Sequence, residues 1–212
     1  MKHILRLIFL AVICASSCFP QVFEVGAMGA YPRIFDSKLG SYSKESPKED
    51  DTRLHGNRGY GGRFTLNTKG YYGHEVTYLN IKANMDSTTR TTENKVTTTV
   101  TSHSPINIQM AAYNFMMYMM PRGERFRPFV TGGLQGYRYS HPTFDTGGTS
   151  YRTYGGNYGG GIKIKLMQHA LVRADFRHYL GGKPFNLTFP DQAKSGGIHH
   201  MMEFSFGAAF MF

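Results

Sequence analysis

Tryptophan is absent, and the only two cysteines, Cys14 and Cys18, sit close to the N-terminus. A domain built from the rest of the chain has no disulfide available, so hydrogen bonding and packing must hold it together. Long apolar runs are also missing. The longest, residues 7–15, follows Lys2 and Arg6 and precedes Ser16 and Ser17. A basic start, a short apolar core and small residues make a secretory leader, too short to span a bilayer permanently. Residues 1–20 are therefore assigned to a signal peptide and 21–212 to one domain. Ala15-Ser16-Ser17-Cys18 also has the outline of a lipoprotein cleavage box, though Ala15 stands where a larger apolar residue is usual. Without a second apolar run, the domain can cross a membrane only with strands, and strands cross lipid only as a closed barrel. Acidic residues are few, 14 against 24 Lys and Arg. The basic residues are spread among strand positions and connections, which argues against nucleic-acid binding.

Glycine and aromatic residues are plentiful: 25 Gly, 14 Tyr and 16 Phe. With a mean hydropathy of -0.36, this mixture suits an all-β chain that needs tight bends and ring-lined interfaces. The last segment carries the clearest period. Met202, Phe204, Phe206, Ala208, Phe210 and Phe212 form one face, and Glu203, Ser205, Gly207 and Ala209 the other, the alternation of a strand. Ala170, Val172, Ala174 and Phe176 alternate with Arg173, Asp175 and Arg177. Tyr154, Tyr158, Ile162 and Ile164 alternate with Asn157, Gly159, Gly161, Lys163 and Lys165. Further strands are read over 23–31, 57–67, 72–83, 106–118 and 126–139, which makes eight. In 106–118 the apolar positions change from Ile106, Ile108 and Met110 to Tyr113, Phe115 and Met117. That phase slip predicts a β-bulge near Ala111 or Ala112.

The connections alternate in length. Residues 32–56, 84–105, 140–152 and 180–199 are long, whereas 68–71, 119–125 and 167–169 are short. An up-and-down barrel would carry all the long connections at one end, as outer-membrane barrels do, with short turns in the periplasm and long loops outside. The non-apolar strand face holds Glu24, Arg63, Glu75, Lys163, Lys165, Arg173, Asp175, Arg177 and Glu203. In a small membrane barrel this face points inward, where the lumen is too narrow for a wide channel. A paired charge network across the interior is expected, with glycines leaving room for the long side chains.

Residues 22–212 resemble the outer membrane protein beta-barrel domain family, whose eight-stranded barrels are like the transmembrane domain of outer-membrane protein A. The resemblance rests on Arg127-Pro128-Phe129-Val130-Thr131-Gly132-Gly133-Leu134, on 154–161 (YGGNYGGG), on Val172-Arg173-Ala174-Asp175-Phe176-Arg177 and on the terminal Phe212. It implies a location in the bacterial outer membrane, surrounded by lipids and lipopolysaccharide. It also implies that the aromatic last strand, ending at Phe212, is read by the barrel assembly machinery. The chain ends at the last strand without a peptidoglycan-binding domain, so cell-wall anchoring is not implied.

The scaffold does not fix the activity. His199, His200 and Glu203 could be imagined as metal ligands, but adjacent histidines on a strand point to opposite faces. His103-Ser104 invites comparison with barrel enzymes that deacylate lipid A, yet the sequence assigns no acid to the pair. The glycine run at 155–161 has neither the helix nor the Lys-Ser/Thr ending of a phosphate loop. No catalytic site, metal or cofactor is assigned. The expectation is a non-enzymatic barrel with a structural role or a surface-interaction role through its four long loops. The loop at 38–53 mixes both charges. The 87–102 stretch is Thr-rich with high strand propensity, which suits an extension of its strands into a hairpin above the membrane that could offer an edge to partner proteins. Basic residues near the outer rim are expected to meet lipopolysaccharide phosphates. The alternatives are a narrow pore, a lipid A-modifying enzyme, and a soluble lipocalin-like binder with its apolar face inward.

Overall fold

A computed structural model describes residues 22–35, 48–68, 70–93, 96–140, 151–182 and 198–212. The leader, the lipoprotein-like box and the 36–47, 94–95, 141–150 and 183–197 parts of the long connections lie outside the described residues. Eight strands form a closed antiparallel barrel: β1 (Val22–Ile34), β2 (Lys48–Thr68), β3 (Tyr72–Glu93), β4 (Val96–Tyr118), β5 (Phe126–Tyr139), β6 (Tyr151–Lys165), β7 (Ala170–Gly182) and β8 (Ile198–Met211). Each strand pairs with its chain neighbours, and β1 closes on β8 through pairs such as Val25↔Phe210 and Ala27↔Ala208. Closure removes every free edge around the wall. Short turns join β2–β3, β4–β5 and β6–β7 at one end. Two of them use glycines in the left-handed region, Gly70 at φ 75° and Gly123 at φ 107°, where a side chain would be strained.

The side-chain sense is that of a membrane barrel. Leu134, Phe206 and Tyr154 are outward and 71%, 63% and 74% exposed, whereas Glu75, Arg177 and Glu203 are wholly buried inside. Gly159 shows how so narrow a wall accommodates long side chains. A Cβ there would stand 2.2 Å from the Phe176 carbonyl oxygen and 3.1 Å from Cγ of Arg177.

The strands answer two expectations. First, β2, β3 and β4 run 21, 22 and 23 residues, so 87–102 does extend β3 and β4 into a hairpin, and β2 also reaches back into the expected 32–56 loop. The register continues without interruption from Tyr72↔Met117 to Glu93↔Val96. Thr and Val in this region favour extended backbone, and the pairing with β3 satisfies it. Second, β4 has no bulge near Ala111 or Ala112. Its pairing with both neighbours is unbroken there, and even-numbered residues stay inward from Ser104 to Tyr118. The irregularity lies in β2 instead, between Gly56 and Arg58.

The change of apolar phase in β4 therefore has another cause, an inversion of polarity along the barrel axis. Toward the short-turn end, Tyr113, Phe115 and Met117 face out and Asn114 faces in. Toward the other end, Ile106, Ile108 and Met110 face in, while Asn107 faces out and Gln109 is half-exposed. In β3, Val76 and Tyr78 face out below, and Leu79, Ile81, Ala83 and Met85 face in above. The lower wall is built for an apolar surrounding and the upper wall for water.

Candidate functional site

The lower interior holds the charges. Glu75 on β3 accepts from Arg173 Nη1, from Arg177 Nη2 at 2.5 Å, and from the Thr65 and Thr77 hydroxyls at 3.2 and 3.1 Å. Asp175 on β7 accepts from Arg63 Nη1 at 2.5 Å and from Arg173 Nη2 at 2.6 Å. Arg63 Nη2 also donates to Ser205 Oγ at 2.7 Å and lies 3.7 Å from Glu203. Closer to the turns, Lys163 Nζ donates to Glu24 at 2.6 Å and to the Tyr118 hydroxyl at 2.7 Å, and Asn67 donates to Glu24 at 2.6 Å. Four carboxylates thus face four cations inside one barrel, each joined to a partner on another strand. Two clusters result: Glu75, Asp175 and Glu203 with Arg63, Arg173 and Arg177, and a smaller one of Glu24 with Lys163.

Eight of the nine residues singled out from the sequence thereby come together. Lys165 does not join them; it lines the mouth at the turn end. Sequence reasoning missed Arg127, Tyr118 and Asn67. Arg127 lies over the Tyr118 ring at 3.8 Å and donates to the Gly70 carbonyl at 2.8 Å. Arg127 and Asn67 lie on the inward parity of strands already read as β, so the alternation alone would have found them. Tyr118 shares the inward parity of Asn114, opposite Tyr113, Phe115 and Met117, but an aromatic ring at the end of an apolar run gives no polar signal in the sequence.

Above the charges the lumen is apolar. Leu54, Leu79, Ile81, Met85, Ile108, Met110, Tyr137, Tyr139, Tyr179 and Met201 pack into one buried cluster. At the turn end a recess of about 280 Å³ opens, lined by Arg122, Arg125, Arg127 and Lys165, and Lys163 and Glu24 lie along its wall. The described interior is thus closed by ion pairs below and packed with apolar side chains above.

The imagined chemical sites do not assemble. His199 is buried on the lumen side while His200, on the other face, stacks against His178 with ring centroids 5.4 Å apart. Among the described residues no group of three metal-ligating side chains occurs. His103 does find an acid, Asp86, at 2.6 Å across the β3–β4 hairpin. Ser104, however, is buried on the opposite face of β4, so a nucleophile and base are not brought together there.

Beyond the barrel rim, β2, β3 and β4 continue as a three-stranded sheet. Among the described residues, β4 pairs with β5 only from Ile108 onward and β2 pairs with β1 only from Gly59 onward. The two margins differ. The β2 margin carries Lys48, Glu49, Asp50, Asp51 and Arg53, while the β4 margin, Val96 to Ser102, is Val, Thr and Ser only.

The family model for the outer membrane protein beta-barrel domain matches residues 9–212. Three solved structures share the fold. Neisserial surface protein A is 14% identical with TM-score 0.53, covering 90% of this chain and 97% of its own. The N-terminal barrel domain of Pseudomonas aeruginosa OprF is 13% identical with TM-score 0.51, at the same coverage. Outer membrane protein AlkL, solved in lipid bilayers, is 10% identical with TM-score 0.52, covering 89% and 90%. No curated protein matches the sequence. At such identities the structural likeness bears on fold alone. The match over nearly the whole chain decides membership: this chain belongs to the outer membrane protein beta-barrel domain family.

Proposed function

We propose that this member of the family sits in the bacterial outer membrane, turn end toward the periplasm, as a non-enzymatic scaffold that presents the β2–β4 sheet outside the cell for interaction with a protein partner. The observation that carries the reading is the lack of charge along the described β4 margin. Natural sheets protect exposed edges with charges, and the sequence at the β2 margin, 48–53, has five. The 96–102 stretch has strong strand propensity and no charge. Such a margin suits strand addition by an extended segment of the partner, in which main-chain hydrogen bonds supply affinity. The filled lumen gives no support to transport, and the separation of His103 from Ser104 gives none to lipid deacylation.

The test is site-specific photo-crosslinking on intact cells, with the reactive residue at Thr98 or, for comparison, at Asp50. Adducts of discrete mass from Thr98 and none from Asp50 are expected. Equal adducts from both margins, or none from either, would remove support for the edge as the docking element.

A further inference from the structure

The outward wall at the level of the polarity inversion shows a regular change. Tyr31, Tyr60, Tyr78, Tyr113 and Tyr154 are outward and exposed. On the long-strand side of these rings the outward positions become Arg33, Arg58, Lys82, Gln109 and Arg152, and on β5 Arg138 follows Leu134. His178 and His200 occupy the corresponding places on β7 and β8. Five of the eight strands thus carry an outward cation just above the apolar belt.

The register makes this more than a scatter of surface charge. Arg58 stands directly opposite Lys82, and Arg138 directly opposite Arg152. Like charges directly opposed on neighbouring strands repel and destabilise the pair. No ion pair to a carboxylate relieves any of these four among the described residues. The Arg63, Arg173 and Arg177 side chains of the interior, by contrast, all face carboxylates. Cations on directly opposed strand positions suit a clamp for one doubly accepting anion, and guanidinium groups match phosphate oxygens with paired hydrogen bonds. The tyrosine row fixes the height, because such rings lie at the headgroup level of a membrane. The described outward strand positions next to the turns at the other end, Tyr72, Phe126, Ile164, Ala170, Phe210 and Phe212, carry no charge.

We propose that Arg58–Lys82 and Arg138–Arg152 are two phosphate clamps that bind the phosphorylated headgroups of lipids in the leaflet around the long-strand side of the barrel. The occupant is a membrane lipid, not a soluble anion, because the clamps face sideways directly above the lipid-facing rings. The inference rests on the barrel being membrane-inserted, and the experiment reports insertion separately.

The mature chain is refolded into phosphatidylcholine vesicles with and without lipid A, a glycolipid bearing two phosphates, and the unfolding temperature is read by electrophoretic heat-modifiability. Three proteins are compared: the unsubstituted chain, the clamp variant Arg58→Gln/Arg152→Gln, and the control Arg122→Gln/Arg125→Gln, which removes the same charge from the turn end. Folding in phosphatidylcholine alone establishes insertion for each. The clamp variant is expected to be at least as stable there as the unsubstituted chain, since one cation of each repelling pair is gone. Lipid A should raise the unfolding temperature of the unsubstituted chain and of the control, and most of that rise should be lost in the clamp variant. An equal loss in the control would show an effect of net charge and overturn the proposal. So would an undiminished rise in the clamp variant, or the same rise produced by inorganic phosphate without lipid A. A chain that fails to fold in phosphatidylcholine would overturn the membrane reading instead.

Discussion

Glu75 is the residue on which the interior turns. It is wholly buried, and Arg173 and Arg177 both end on it. Removing one partner of a buried ion pair leaves an uncompensated charge, at a cost of about 3–5 kcal/mol. Glu75→Gln is therefore expected to lower unfolding stability by roughly that amount, measured by urea titration of the barrel in detergent. Lys165→Gln should leave the midpoint nearly unchanged, because Lys165 lines the open mouth rather than the network. Its place in the sequence pattern is indistinguishable from that of Lys163 two positions earlier. The alternation gives the face a side chain is on; only the ends of the neighbouring strands decide whether that face is enclosed at its level.

At the scale of the strand, β4 is the informative element. Its apolar residues change parity with no bulge, and the same change recurs in β3. A strand that leaves lipid and enters water must exchange its faces: apolar outward in the hydrocarbon, apolar inward above it. Single cysteines should map this boundary. Lys82→Cys and Asn107→Cys are expected to react with a membrane-impermeant maleimide on intact cells, and Val76→Cys and Tyr113→Cys to be protected. Protection of all four would return the inversion to a local irregularity. β8 carries a second strand-level expectation. Phe212 donates its backbone N–H to the Phe23 carbonyl at 2.9 Å, and its ring meets Phe210 at 5.0 Å. We propose that this end is read by the barrel assembly machinery. Deleting Phe212 should then reduce the heat-modifiable fraction in cells while refolding of the purified chain in detergent stays intact.

Among the described residues the interior of the whole molecule combines a balanced charge network below with an apolar packed cluster above. In planar bilayers the protein is expected to show no steady conductance. Leu79→Ala should cost about 2–5 kcal/mol without opening a conducting path, since the interior is a packed core and the ion pairs beneath remain. Steady channels from the unsubstituted chain would contradict the reading of the lumen as filled.

The sequence by itself determined the class of the fold. Period-two strands, alternating long and short connections, and charged residues on the face opposite the aromatics follow from local chemistry, because side-chain direction alternates strictly along a strand. Eight of the nine residues assigned to the interior from the alternation lie there for the same reason, since burying so many charges requires that they be brought together. Three things were decided only in the tertiary structure. The phase change in β4 could be read as a bulge or as a boundary, and only its unbroken pairing with two neighbours distinguishes them. The start of β2 at Lys48 depended on cross-strand pairing with β3, which makes strand of a charged segment that alone is an equally good loop. The opposition of Arg58 to Lys82 and of Arg138 to Arg152 is a matter of register, and register arises from closing the whole barrel rather than from any one strand.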